Sequence, residues 1–240
     1  MSRQQILIIG AAGGVGRELS RQLSADGWDL VLAGRQQASL DELAMETGGE
    51  VEVLDATCFE ATDDLLKRYP DLRAAVNLAG SIMLKSAHQT SQDDFNDTIS
   101  QNLTTAFSLV RACGNHRRRG GGSVVLMSTC AARLGLMNHE AIAAAKAGVE
   151  GLTRTAAATY ASRGIRFNAV APGLVDTPLA QPITSSEPAL KASTAMHPLG
   201  RIGNPEEVAR LIGFLLNPVN DWITGQVIGI DGGLATVRGR

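Results

Sequence analysis

Short runs of continuous apolar residues alternate along the chain with longer stretches in which apolar side chains recur every three or four positions. Gln5-Ile-Leu-Ile-Ile9 is an apolar run of the kind carried by a strand covered on both faces. Behind it, Val15, Leu19 and Leu23 stand four apart, which predicts a helix over 15–25. The pairing repeats as strand 29–33 and helix 37–47, strand 50–54 and helix 60–68, then strand 73–78 and a long helix over about 92–113. Ser123-Val-Val-Leu-Met127 predicts the next buried strand, followed by an alanine-rich helix from about 139 to 161 and a strand over 166–170. Residues 178–203 break this rhythm with Pro178, Pro182, Pro188 and Pro198 among small polar residues, and predict an irregular excursion serving as a lid. Helix 205–216 and strand 226–230 close the chain. Such alternation builds a doubly wound parallel sheet of about seven strands with helices on both faces, one α/β domain over 1–240.

Composition removes several classes of function. Apolar residues are 44% and charged residues 19% of 240, which fits a globular domain and not a disordered chain. Lys and Arg total 22 against 24 Asp and Glu, so a nucleic-acid or anionic-membrane partner is not expected. No apolar run approaches the roughly 18 residues of a membrane span. The first apolar run ends at once in Gly10, unlike a signal peptide. Cys58, Cys113 and Cys130 are odd in number and lack ligand or redox spacing, which predicts reduced thiols, no metal and a cytoplasmic location. The basic run His116-Arg117-Arg118-Arg119 ends a predicted helix, where cations complement exposed carbonyls, and is read as a solvated cap.

Candidate chemistry sits at strand ends. The first strand runs into Gly10-Ala-Ala-Gly13-Gly14-Val-Gly16 and then directly into a helix. Glycines there let the backbone turn sharply and approach a pyrophosphate, which rests on free N–H groups at the positive helix end. Gly10, Ala12, Gly13, Gly14, Val15 and Gly16 are therefore candidate dinucleotide contacts. The second strand ends in Ala33-Gly34-Arg35. A carboxylate at that point would bind the adenosine ribose and repel a 2′-phosphate, whereas a guanidinium matches phosphate, so NADP(H) is favoured over NAD(H).

Gly10-xxx-Gly14-x-Gly16, Asp55, Asn77-Leu-Ala-Gly80, Asn102, Lys146, Pro172-Gly173, Thr224-Gly-Gln and Asp231-Gly-Gly233, in this order, span the chain. The sequence resembles the short-chain dehydrogenase/reductase family. The resemblance implies a Rossmann-type fold and hydride exchange between a nicotinamide and a carbonyl/alcohol pair. It assigns the adenine side to Asp55 with Ala56, and to Asn77, Ala79 and Gly80. The nicotinamide carboxamide falls to the segment holding Pro172, Gly173, Val175 and Thr177. Leu78 departs from the family's usual second asparagine. A homodimer or homotetramer, pairing the two long central helices, is likewise implied by the resemblance alone.

The resemblance fails at one position. In the family, a tyrosine four residues before the lysine carries the proton, the lysine lowers its pKa and holds the nicotinamide ribose, a serine thirteen before the tyrosine binds the substrate oxygen, and an asparagine anchors a water relay. Lys146 and Asn102 fit; position 142 is isoleucine, and the serine position is Thr129, which keeps a hydroxyl. Isoleucine can neither donate nor accept a proton, and losing a positioned general acid costs about 10²–10⁴-fold. Neither Tyr69, before Pro70, nor Tyr160, some four turns beyond Lys146, is placed to replace it. His139 stands three before Ile142 and seven before Lys146, on the same stripe of the predicted helix, and is a candidate proton carrier. The competing reading ties it to backbone or Asn138 in the first turn.

Two functions are compatible with these residues. One is an NADP(H)-dependent oxidoreductase acting on a carbonyl, imine or conjugated small molecule, with Asn102, Thr129, His139 and Lys146 as the catalytic set and the proton drawn from His139, Thr129 or water. The alternative is a catalytically inactive dinucleotide-binding sensor, regulator or partner subunit. Pro178, Leu179, Ile183, Leu190 and Met196 suggest an apolar substrate wall in the lid, while Lys191 and His197 read equally well as solvated.

Overall fold

The computed structural model describes residues 4–116 and 121–238, so Arg117–Arg119 of the basic run lie outside the described residues. Seven strands, β1 (Gln5–Ile9), β2 (Asp29–Gly34), β3 (Glu50–Val53), β4 (Leu72–Asn77), β5 (Gly122–Met127), β6 (Ile165–Pro172) and β7 (Val227–Ile230), form one sheet in the order β3-β2-β1-β4-β5-β6-β7. Every pairing is parallel. Helices α1 (Gly14–Ala25), α2 (Gln37–Thr47) and α9 (Pro205–Leu216) cover one face. Helices α3 (Phe59–Arg68), α5 (Thr105–His116) and α6 (Glu140–Tyr160) cover the other, with α4 (Gln92–Ile99) leading into α5.

Strand alternation explains why β1 is apolar throughout. Ile6 and Ile8 join the core beneath Leu19, Leu40 and Ile212, while Leu7 and Ile9 join the core beneath Leu65, Leu109 and Val149. Both sets are essentially inaccessible to solvent. The chain reverses its winding between β1 and β4, whose last residues Ile9 and Asn77 are register partners. A doubly wound sheet opens its ligand crevice beyond such a reversal.

One expectation is refined and one corrected. The stretch over 92–113 is helical throughout, as expected, and continues to His116, but a π turn over Ser100–Thr104 lies between α4 and α5, and the Thr105 amide donates to Ser100 O five residues back. This turn seats Asn102, 1% exposed, in the interior. Residues 178–203 are not irregular for most of their length. Pro178 opens a 3₁₀ turn over Pro178–Ala180, Pro182 lies in the first turn of α7 (Gln181–Thr184), and Pro188 in that of α8 (Glu187–Met196). The prolines mark helix starts, where the missing N–H costs nothing. The excursion is stitched at its base: the Asp176 amide donates to Gly203 O (3.0 Å) and the Gly203 amide to Leu174 O (2.9 Å). No helix among the described residues is long and apolar enough to cross a membrane.

Candidate active site

The crevice is built from the carboxyl ends of β1, β4, β5 and β6. At the end of β1, the Gly10 amide donates to Ala33 O of β2 (2.8 Å), and Gly10 takes a φ of +81° that only glycine adopts without strain. A methyl on Gly10 would lie 2.8 Å from the Ala79 amide nitrogen, and one on Gly16 would lie 2.4 Å from Gly10 O. The loop, the first turn of α1 and the end of β4 are thus packed backbone to backbone. Gly13 is the N-cap of α1 and no side chain caps this helix, so its first amides have no intrahelical partner. Ala12 and Val15 are half-buried beside it. Thr177 closes over the loop: a methyl on Gly14 would sit 2.8 Å from Thr177 Cγ2. This cradle, which side chains would fill, fits a pyrophosphate.

Around it, the residues expected on the adenosine side occupy distinct roles. Asp55 is exposed after β3, while Ala56 beside it is buried. The Thr57 hydroxyl and then its amide donate to Asp55 Oδ1 (2.7 and 3.0 Å), and these bonds hold the carboxyl below the usual carboxylate range, with a smaller contribution from the Arg35 charge. Arg35 is exposed just past β2. Asn77 is buried and acts as a strut, Nδ2 donating to Thr105 Oγ1 (3.1 Å) and Oδ1 accepting from the Ala79 amide (3.0 Å). Leu78, the departure from the family pattern, packs on the α1-side core.

Gly80 is where Asn102 and Lys146 meet. A methyl there would lie 2.8 Å from Asn102 Oδ1 and 3.4 Å from Lys146 Nζ. Asn102 is pinned, Nδ2 donating to Ser81 Oγ and Thr98 O (both 3.0 Å) and Oδ1 accepting from the Ser81 amide (3.2 Å). Lys146, on the inner face of α6, is 6% exposed and donates to Met127 O at the end of β5 (2.9 Å). Burial lowers its pKa to about 8. Unfolded, Lys146 keeps its proton to near 10.5, whereas the folded chain sheds it from about 8. Between those values the unfolded state binds more protons, so stability from this group rises with pH, by at most about 1.4 kcal/mol per unit. Denaturant titrations of wild type and Lys146→Met should therefore show a stability difference that is level below about pH 8 and moves in the wild type's favour above it. A level difference throughout would exclude Lys146 as the titrating group.

Thr129 lies at the end of β5, donating to Pro172 O of β6 and accepting from the Ala131 amide. Both contacts are 3.4 Å long and weak enough for a substrate oxygen to compete for the hydroxyl. Its neighbour Cys130 is buried, which pushes the thiol up to about 11 and makes it a poor nucleophile. Ile142 is buried at 6% exposure, one turn before Lys146. His139 stands outside the helix as the N-cap of α6, with φ −110° and ψ 10°, after Asn138 turns the chain at φ +62°. The helical stripe therefore begins one residue later than the periodicity suggests. The half-buried His139 ring is bonded at Nδ1 to Met137 O (2.7 Å), which leaves Nε2 as the proton-accepting nitrogen of the neutral ring.

Pro172 and Val175 are buried and Gly173 and Thr177 half-buried in the segment leading from β6 to the lid. Within residues 178–203, Ile183 and Leu190 are half-buried, whereas Leu179 and Met196 are exposed. Neither tyrosine reaches the site. Tyr69 donates to Glu52 and Glu50, its pKa raised by burial and these bonds, and Tyr160 stacks on Phe167 in the far core. Glu150, one turn beyond Lys146 and 7% exposed, was not singled out by sequence. It accepts from Ser128 Oγ (3.1 Å) and from Arg133 Nε (3.0 and 3.1 Å), fixing the corner that carries Thr129. A charge on the alanine-rich inner stripe of α6 was the available signal.

The protein-family model described as enoyl-(acyl carrier protein) reductase matches residues 10–235. The chain is 33% identical over 238 residues to 3-oxoacyl-(acyl-carrier-protein) reductase FabG of Thermotoga maritima, covering 95% of this chain and 96% of the relative. It is 32% identical over 237 residues to galactitol 2-dehydrogenase (L-tagatose-forming) of Cereibacter sphaeroides, covering 94% and 92%. Among solved structures, a short chain dehydrogenase/reductase family protein superposes with a TM-score of 0.90 at 31% identity, covering 98% of each chain. A variant of actinorhodin polyketide ketoreductase, solved with NADPH, superposes at 0.89 and 26% identity, again over 98% of each chain. With its parallel seven-stranded sheet, glycine-lined crevice and the grouping of Asn102 and Lys146 at Gly80, the chain belongs to the short-chain dehydrogenase/reductase family of oxidoreductases.

Proposed function

We propose that this chain is an NADP(H)-dependent oxidoreductase that interconverts a small apolar carbonyl, imine or conjugated compound and its reduced form, without a proton donor at position 142. The observation carrying this reading is the grouping of Lys146 Nζ and Asn102 at Gly80, beyond the ends of the central strands. The glycine cradle would hold the pyrophosphate, Arg35 the 2′-phosphate, Asp55 and Ala56 the adenine, Lys146 the nicotinamide ribose, and the 172–177 segment the carboxamide. When bound, the nicotinamide supplies or accepts the hydride. Thr129 Oγ1 orients the substrate oxygen or nitrogen, and Lys146, largely protonated below pH 8, favours the negative charge that develops there. The proton arrives from water, or from Nε2–H of a His139 ring that has first taken a proton from water there, Nδ1–H staying on Met137 O. A polarised imine, which needs less acid assistance than a ketone, suits such a site.

NADP(H) selectivity has a direct test. Arg35→Glu exchanges an exposed guanidinium for a carboxylate at the point where the 2′-phosphate would sit. A charge-assisted bond of this kind contributes about 1.5–3 kcal/mol, so the ratio of NADPH to NADH affinity should fall by about 10–100-fold. An unchanged ratio would assign Arg35 to solvent. The resemblance to the family supports a homodimer or homotetramer, and the odd cysteine count without ligand or redox spacing supports a cytoplasmic location.

A further inference from the structure

His197, at the end of α8, is the one buried polar residue among residues 178–203, at 4% exposure. Both ring nitrogens are used. Nδ1 lies 2.7 Å from Ser193 O on its own helix, and Nε2 lies 3.3 Å from the amide of Leu174, just past β6. A carbonyl only accepts and an amide only donates, so these two partners fit a single state: neutral imidazole, protonated at Nδ1, with a lone pair at Nε2. The ring packs so tightly on the strand end that a methyl on Gly173 would lie 2.5 Å from Nε2, and one on Gly232 would lie 3.7 Å from the ring. It also lines a cavity of about 230 Å³ between β6, β7 and the start of α9.

The geometry points to His197 as a positioning residue: its ring clips helix α8 to the segment that leads out of β6. Removing the ring leaves the Leu174 amide without its acceptor and Ser193 O without its donor. The charged groups facing the ring are engaged elsewhere and do not replace it. Asp231, on the β7 side, has Oδ1 engaged by the Gly233 amide (3.0 Å) and Oδ2 by the Ala235 amide (2.9 Å). Arg201 and Glu207 line the same cavity and are paired with each other through bonds of 2.9 and 2.6 Å. Lys191, on the same helix, is exposed. Loss of the ring therefore frees α8 from the strand end that it caps. The link to cofactor affinity rests on the proposed role of residues 172–177 at the nicotinamide; the clip itself does not.

Hydrogen exchange on the ligand-free protein, corrected for intrinsic amide rates, reads the clip directly. Protection over residues 173–196 should fall about tenfold in His197→Ala. His197→Gln, whose amide offers Leu174 an acceptor and Ser193 O a donor, should restore most of it. NADPH titrations should show a parallel loss of affinity in His197→Ala and recovery in His197→Gln. His197→Asn serves where the glutamine variant fails to fold. Unchanged protection in His197→Ala overturns the clip. Loosening of residues 173–196 with a level NADPH affinity overturns the positioning role. No NADPH binding by wild type overturns the proposed function instead, and the exchange data still decide the clip.

Discussion

Ile142→Tyr should raise the rate of NADPH-dependent carbonyl reduction by about 10²–10⁴-fold, the usual contribution of a positioned general acid. In free-energy terms this is about 3–5 kcal/mol of barrier, the largest effect expected of any single substitution in this chain. The reason is positional. Residue 142 lies one turn before Lys146 on the inner face of α6, so a phenol there shares a helix stripe with the buried ammonium, whose charge favours the phenolate. Lys146 and Asn102 already meet at Gly80, and the proposed role of Thr129 needs no change of residue. The side chain at 142 is buried, and the larger tyrosine must extend toward the crevice, so a matching Tm is the control for strain. Wild type and variant should be compared on one panel of ketones, aldehydes and imines. Wild-type rates close to the variant's would establish a different proton donor. A silent wild type beside an active variant would mean a complete scaffold lacking only its acid, and the binding-protein reading would replace the enzyme. Silence from both would show that the grouping at Gly80 does not form a competent site.

The strands were legible because each is covered on both faces. A continuous apolar run has no competing reading once glycine or a turn bounds it, and β1 is found over residues 5–9, where the pattern placed it. The long helices were legible from their stripes, although the π turn over 100–104 was not. One extra residue in a turn leaves the surrounding apolar spacing nearly intact, yet it decides how Asn102 faces the interior. The lid was misread for the opposite reason. Helix α8 fully buries none of its ten residues, so it has no stripe for periodicity to detect, and its prolines looked like breakers when they were starts. His197 carried no signal at all, because its burial comes from Leu174, Gly173 and Gly232, distant in sequence. Glu150 was detectable as an acidic residue on an inward stripe, but its partner Arg133 lies in an irregular segment that no pattern aims. Sequence therefore placed the glycine loop, the strand ends and the helix carrying Lys146, whereas the contacts that hold them to one another come from tertiary packing.

The glycine cradle gives the second large effect. Gly16→Ala places a methyl 2.4 Å from Gly10 O and 2.6 Å from Ala11 O. Both atoms are backbone, and Gly10 is itself tied to Ala33 O by a 2.8 Å bond and sits at φ +81°, so the loop cannot swing aside. Two effects then oppose each other. Alanine within a helix gains up to about 1 kcal/mol over glycine, while overpacking of this kind costs about 1–3 kcal/mol and can cost more. The clash wins, because relief requires α1 to back away from β1 and disturbs Leu19 in the core below. Net stability should fall by about 1–2 kcal/mol, visible as a lower Tm. The loss in dinucleotide affinity should be larger, at least about 100-fold, because amides displaced by even part of an ångström no longer converge on one phosphate. The informative comparison is between these two losses. A chain that stays folded with a modest Tm drop yet no longer quenches or enhances NADPH fluorescence places the phosphates at the start of α1. A native Tm with unchanged NADPH affinity would mean that the cofactor is held elsewhere, and the catalytic reading of Lys146 and Thr129 would lose its foundation with it.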